Sequence, residues 1–255
     1  MIPGGAAAPR PLRVILDAPA EASWNMAVDD ALLQLGGAPT LRLYGWAPHA
    51  VSLGWFQPFA AFADLPPGTP VVRRLTGGGA IHHGDELTFA LACDLELLPR
   101  DVAASYALLH DAAIAALADL GVPCERVHAG APPAARPTER WCFAVAGRDD
   151  VVTARGKLLG SAQRRVHSPR PRVLHPGSLV RRGPALTPFV GALSEDGGGA
   201  GLEAATARLR QSLVRHVAGT LDLVPAPGVL TTAERALAAQ LRRSRYEDAA
   251  LLRRR

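Results

Sequence analysis

Apolar positions along the chain switch between a period of two and a helical period. Residues 14–16, 41–43, 50–53, 71–72 and 87–93 read as strands: short β-branched or alternating runs bounded by turn residues. Residues 23–35 carry Met26, Leu32, Leu33 and Leu35 at helical spacing and stop at Gly36-Gly37, which predicts a helix with a glycine end. Asp101 is placed to cap a longer helix reaching Leu120, with Tyr106, Leu109, Ala113 and Leu117 on one face. Gly121 and Pro123 stop it. Residues 150–153 and 157–159 predict a hairpin turning at Ala154-Arg155-Gly156, and another strand is expected near 179–181. Residues 202–218 read as an amphipathic helix bearing arginines. Thr231 with Glu234 three residues on is a capping box for a last helix toward Arg243.

Between these elements, residues 128–138 are rich in Ala, Pro and Gly and predict an irregular loop, and residues 195–201 (EDGGGAG) predict a flexible joint. No internal repeat interrupts the pattern. Short mixed strands with segregated helices predict an α+β (mixed α/β) fold, a central mixed β-sheet flanked by helices. The expected organisation is one domain over residues 12–222 and a helical tail over 223–255 packing on it.

Composition adds limits. With 255 residues and 48% hydrophobic content, the chain can bury a substantial core. The N-terminus lacks a basic start and a long apolar run, and no apolar stretch reaches membrane-spanning length, so a cytoplasmic protein with no membrane association is expected. The three cysteines, at 93, 124 and 142, are too few and too widely spaced for a disulfide framework or a zinc site. The formal charge of +5 favours acidic partners. The one basic run, Arg253-Arg254-Arg255, has no interleaved aromatics, which points to acidic protein partners and not to nucleic acid. Among 28 Lys plus Arg, Lys157 is the one lysine. A compact ammonium and a planar guanidinium are not interchangeable, so this lysine is a candidate for chemistry as well as for surface charge.

Four segments carry candidate chemistry. Arg73-Arg74-Leu75-Thr76-Gly77-Gly78-Gly79-Ala80 joins a strand end to three glycines, whose N–H groups can cradle a carbonyl or phosphate. Its spacing is neither that of a Walker loop nor GxGxxG. On its own it is also a plain glycine-rich turn. His82 and His83 are adjacent on a strand and face opposite ways, with no ligand partner at metal spacing, so one can line a site and no metal is expected. Cys142, between Trp141 and Phe143, stands at a loop edge where a thiol can be reactive or can serve as a small buried hydrophobe. Cys93 and Cys124 fit buried roles. Lys157 is followed by Leu158-Leu159-Gly160-Ser161-Ala162, small residues that admit a ligand to the backbone. An ammonium beside a thiol stabilises thiolate and can polarise an acyl carbonyl, so cysteine plus lysine forms an acyl-transfer pair.

In this order the pieces resemble the lipoate/octanoate protein ligase and transferase superfamily (the biotin/lipoate A/B protein ligase family). The resemblance rests on NMAVDDAL at residues 25–32, RRLTGGGAIHHGDELTFAL at 73–91, GRDDVVTARGKLLGSAQRR at 147–165 and, more weakly, LHPGSLV at 174–180. The stretch 231–246 is similar to the tail helix of the transferases. The branch most similar is the cysteine-dependent M-type octanoyltransferases, where a Cys-Phe pair lies fifteen residues before the lysine, as Cys142-Phe143 and Lys157 do here. Gly79 and Gly147-Arg148-Asp149-Asp150 look more like the ATP-dependent ligases. Pro176 stands where the family has a histidine, with His175 displaced by one.

The resemblance implies a lipoate/biotin protein ligase-like catalytic domain and transfer of octanoyl or lipoyl from acyl carrier protein to the lysine of a lipoyl domain or glycine cleavage H protein. Cys142 would hold the acyl group as a thioester, and Lys157 would stabilise the thiolate. Arg74, Gly77, Gly78, Gly79, Ala80, His83, Gly160, Ser161 and Ala162 would bind substrate, and no cofactor would be needed. Strands around Leu53 and Leu91 would line an acyl tunnel, and Arg164, Arg165, Arg170 and Arg172 would dock the carriers. An ATP-dependent lipoate–protein ligase, a lipoyl-domain amidotransferase and a non-catalytic binding module of the same fold remain alternatives.

Overall fold

The computed structural model describes residues 10–128, 140–187, 190–193 and 200–253. Most of the expected irregular loop and of the glycine-rich joint lies outside them. The chain opens with β1 (Pro11–Leu16), α1 (Ala22–Leu35), β2 (Thr40–Tyr44), β3 (Ala50–Leu53), β4 (Val71–Arg73), β5 (Ile81–His83) and β6 (Glu86–Asp94). Then come α2 (Val102–Ala118), β7 (Glu125–Arg126), β8 (Val151–Thr153), β9 (Gly156–Ser161), β10 (Arg164–Val166) and β11 (Arg172–Val180). The last elements are α3 (Ala200–Thr220), β12 (Val224–Pro227), α4 (Thr232–Leu241) and α5 (Ala249–Arg253). None of the described helices is long and apolar enough to cross a membrane.

Nine strands form one mixed sheet in the order β12-β1-β2-β6-β11-β9-β8-β7, with β10 also paired to β11. A small sheet, β4-β3-β5, stands beside it. The expected mixed sheet flanked by helices is therefore the architecture observed. Alternation along β6 divides the core. Leu87, Phe89, Leu91 and Cys93 point into the layer containing α2 and α3, whereas Ala90 and Ala92 point toward α1 and α4. Alanines on the α1 side let that helix approach closely. The larger side chains fill the other layer, where fully burying each Leu or Phe is worth roughly 1.5–3 kcal/mol.

Caps follow the sequence. Asp101 accepts from the Ala104 amide at 2.7 Å, and Thr231 and Glu234 form the reciprocal capping box of α4. Glu234 also pairs with Arg13 of β1. The segment after residue 223 carries a strand as well as helices, since β12 pairs parallel with β1. Arg245 and Tyr246 then close on Asp30 of α1, each at 2.9 Å.

The strand expected near 179–181 is in fact nine residues long and starts at Arg172. Pro176 hid it, because proline is a poor residue for a central strand. It is accommodated at a break in pairing. On that edge β11 pairs with β10 through residues 172–174 and with β9 through residues 177–179. Pro176 falls between the two ladders, its carbonyl accepting from Ala162 N at 2.9 Å.

Candidate active site

The β8–β9 hairpin presents Lys157 inward, and a second backbone contact brings Cys142 to it. Ala80 N donates to Arg140 O and Cys142 N donates to Ala80 O, both at 2.8 Å, so the cysteine segment is stitched to the end of the glycine loop. A side chain on Gly79 would put its Cβ 2.8 Å from Cys142 N. This close approach is what the third glycine allows. Arg74 shapes the same loop from beneath. Its buried guanidinium donates to Gly77 O (2.8 Å), Gly79 O (2.6 Å), Thr76 Oγ1 (3.1 Å) and Ser52 O (3.1 Å). Arg74 thus fixes the backbone carbonyls of the glycine loop.

Lys157 Nζ lies 3.3 Å from Cys142 Sγ and 3.3 Å from Cys142 O. Asp150 Oδ2 holds the same ammonium at 2.8 Å and is itself fixed by the Gly147 amide at 2.7 Å. Phe143 offers its ring 5.0 Å from Nζ. The lysine side chain is only 4% exposed. Burial opposes its charge, but a Cys142 thiolate and the Asp150 carboxylate outweigh burial and hold Lys157 above its ordinary pKa. The ammonium is therefore a fixed positive charge at the sulfur. Burial pushes the Cys93 thiol up to about 12, and half-burial raises Cys124.

Cys142, Gly77, Gly78, Gly160, Ser161, Ala162, Arg74 and His83 all line one cavity of about 320 Å³. That is the lower end of the roughly 300–1,000 Å³ range of small-molecule sites. Gly79 and Ala80 stand behind its wall, at the seam with the cysteine segment. His83 is stacked on Trp46 with ring centres 3.6 Å apart, and bonds Glu86 (2.8 Å) and Ser52 (2.7 Å). His82 faces the opposite side and meets Leu186 N. The cavity's apolar wall includes Met26, Trp46, Leu75, Leu174, Pro176 and Tyr246. This corrects the expected lining. Leu53 packs into the small-sheet core and Leu91 into the α2–α3 layer, so the strands near them offer Ser52 and Thr88 instead.

Ser161 has partners that the sequence reading missed. His110 Nε2 and His175 Nε2 each lie 2.7 Å from its hydroxyl. His110 Nδ1 bonds the Asp149 carbonyl, and His175 Nδ1 lies 2.7 Å from the Gln163 amide. Tyr106 packs on both rings. His110 sits in α2, fifty-one residues before Ser161, and no local pattern marks it. Asp150 was more accessible to inference, because extending the Val151–Leu159 pairing by one residue sets it opposite Gly160.

The arginine set divides. Arg172 is buried and pairs with Asp94 at 2.8 Å. Arg165 bonds Gln163 Oε1 (3.0 Å) and Ser105 Oγ (2.8 Å). Both are structural, which corrects the expectation that all four form a docking face; Arg164 and Arg170 are exposed. Among the described residues no group of three or more His, Cys, Asp or Glu is arranged to hold a metal.

The architecture is that of lipoate–protein ligase catalytic domains. A lipoate-protein ligase A bound with ATP superposes with a TM-score of 0.76 at 18% identity, covering 95% of this chain and 98% of that one. The bi-partite lipoate protein ligase of Thermoplasma acidophilum gives 0.70 at 19%, covering 96% and 98%. In sequence, residues 21–218 match the lipoyl protein ligase A/B catalytic domain, and the chain belongs to that family. Octanoyltransferase LipM of Exiguobacterium sp. (strain ATCC BAA-1283 / AT1b) is 35% identical over 188 residues, covering 68% of this chain and 63% of that protein. Octanoyltransferase LipM of Kyrpidia tusciae is 32% identical over 231 residues, covering 85% and 81%. Across the first four such relatives the matched region spans 56–63% of their length.

Proposed function

We propose that this protein is an octanoyltransferase of protein lipoylation that works by ping-pong transfer through a thioester on Cys142. The observation that carries the reading is the Lys157 ammonium 3.3 Å from Cys142 Sγ, at the wall of a largely apolar cavity. The relatives named octanoyltransferase agree with it. The Cys142 thiolate attacks the donor thioester, the carbon–sulfur bond to the donor breaks, and the donor leaves as its thiol. Lys157 sets its positive charge against the sulfur, and N–H groups of the glycine loop and the backbone near Ser161 receive the oxyanion. Exchange between thioesters is nearly balanced, so the acyl-enzyme is reachable. Amide formation then draws the sequence forward.

The donor is acyl carrier protein, and the acceptor is the lysine of a lipoyl domain or glycine cleavage H protein, in the cytoplasm. An adenylating ligase would need no nucleophilic thiol, so the Cys142–Lys157 contact favours the transferase reading. Intact-mass analysis after mixing with octanoyl acyl carrier protein tests it. An octanoyl increment that hydroxylamine removes supports the thioester. ATP-dependent lipoylation from free acid, without any adduct, overturns it.

A further inference from the structure

The hydrogen bonds behind Ser161 fix the place of every proton in their chain. The Asp149 carbonyl can only accept, so His110 Nδ1 carries a proton and Nε2 of the neutral ring is an acceptor. Ser161 Oγ, 2.7 Å away, therefore donates to it. Having given its one proton, Ser161 accepts from His175 Nε2, and His175 Nδ1 in turn accepts from Gln163 Nε2. The Gln163 amide cannot be reversed, because its Oε1 accepts from Arg165 Nε at 3.0 Å. Burial holds both imidazoles below their ordinary pKa, in the neutral state this chain requires.

Ser161 thus shows the cavity a lone pair and no proton. Its hydroxyl cannot donate to an oxyanion, but it can receive an N–H. Behind it stands His110 Nε2, a base whose imidazolium would keep its Nδ1–H on a carbonyl. The neighbouring charges act in opposite senses there, Asp150 favouring the imidazolium and Lys157 opposing it. We propose that Ser161 is the catalytic group that takes the proton of the acceptor amine in the second half-reaction, relaying it to His110, with His175 as a positioning residue. The inference rests on the thioester reading above.

A neutral primary amine attacks the Cys142 thioester, the N–C bond forms, and the carbonyl π pair moves to oxygen. The amine proton passes to Ser161 Oγ as Ser161's own proton moves to His110 Nε2. The carbonyl reforms, the C–S bond breaks, and its electron pair leaves on Cys142 sulfur facing the Lys157 ammonium. His110 returns its extra proton to water through Ser161.

The test loads Cys142 from octanoyl acyl carrier protein, isolates the acyl-enzyme and follows its discharge in single turnovers. The nucleophiles are a lipoyl domain and hydroxylamine, whose low basicity lets it lose its proton to water. Ser161→Ala and His110→Gln should discharge to the lipoyl domain roughly 100-fold slower than wild type, the lower range for a lost general base. Their discharge to hydroxylamine should slow far less, by a few-fold at most. The glutamine variant keeps an acceptor for the Ser161 hydroxyl but cannot take up its proton. Three results would overturn the relay: wild-type discharge to the lipoyl domain by Ser161→Ala, the same by His110→Gln, or an equal slowing with hydroxylamine. If wild type forms no acyl-enzyme, the thioester reading fails and this inference with it.

Discussion

Gly160 is packed against Lys157 so tightly that a Cβ built on it would fall 2.4 Å from Lys157 Cε and 2.7 Å from Nζ. The glycine and the lysine form one steric unit, and Asp150 belongs to it, its Oδ1 3.3 Å from that Cβ and its Oδ2 2.8 Å from the Lys157 ammonium. Gly160→Ala should therefore displace the ammonium from Cys142. A misplacement on the order of 1 Å costs up to about 100-fold. Single-turnover acylation of Cys142 measures it, and a rate equal to wild type would show that the lysine position is not needed.

Lys157→Arg should fare no better, although it keeps the charge. The planar guanidinium must enter a buried space bounded by Gly160, Asp150 and the Phe143 ring. Acylation should slow roughly 100-fold, the scale of removing one preorganised electrostatic contact. A near-native rate would reduce Lys157 to a structural cation.

Cys142→Ala should acquire no octanoyl mass and lose transfer, while Cys93→Ala and Cys124→Ala keep the adduct. The sulfur of Cys142 is the one beside an ammonium, whereas burial raises the other two thiols. Transfer by Cys142→Ala at an undiminished rate would remove the covalent intermediate. Thermal stability should be near wild type, since Cys142 is half-buried and lies at a cavity wall.

Stability should fall as pH drops through the histidine range. His110, His175 and His82 are buried and held below their ordinary value, His175 well below. Between the folded and unfolded pKa the unfolded chain binds more protons, so stability rises with pH. The contribution is complete above the unfolded value of about 6.5 and is lost as pH falls toward the folded values. Each tenfold difference in proton affinity is worth about 1.4 kcal/mol. Melting temperature should therefore fall between about pH 7.5 and 5.5, and His175→Gln should flatten the slope there. An unchanged slope would mean the network does not hold neutral histidine.

How much of this was legible in the sequence depends on how local each contact is. The β8–β9 hairpin, the α4 capping box and the termination of α1 depend on neighbours a few residues apart, and the pattern of apolar, glycine and capping residues reveals them. The proximity of Cys142 to Lys157 is not local. It depends on the bridge between Ala80 and Trp141, so only the family resemblance, and no periodicity, pointed to it. Pro176 hid half of β11, because the pairing gap that tolerates it appears only in the assembled sheet. The histidine chain was invisible for the same reason, being gathered from α2, β9 and β11. The cavity wall escapes the sequence because alternation tells that Leu91 is buried, but not on which face of a two-sided sheet.

The arginines after the hairpin show the same distinction between local pattern and assembled contact. Arg165 and Arg172 are built into the fold, whereas Arg164 and Arg170 stand exposed near the cavity, close to Leu174 and Leu75. If acidic carriers dock by charge, these two steer them, and steering weakens as salt screens charges beyond about 8–10 Å. Arg164→Gln with Arg170→Gln should lower kcat/KM several-fold at low ionic strength and flatten its dependence on salt, with little change in melting temperature, because exposed ion pairs contribute only about 0–1 kcal/mol. Arg172→Gln should do the reverse. It leaves Asp94 short of a buried partner and should cost about 1.5–3 kcal/mol of stability, with the salt slope unaltered. Equal salt slopes for wild type and the exposed pair variant would place carrier docking on another face.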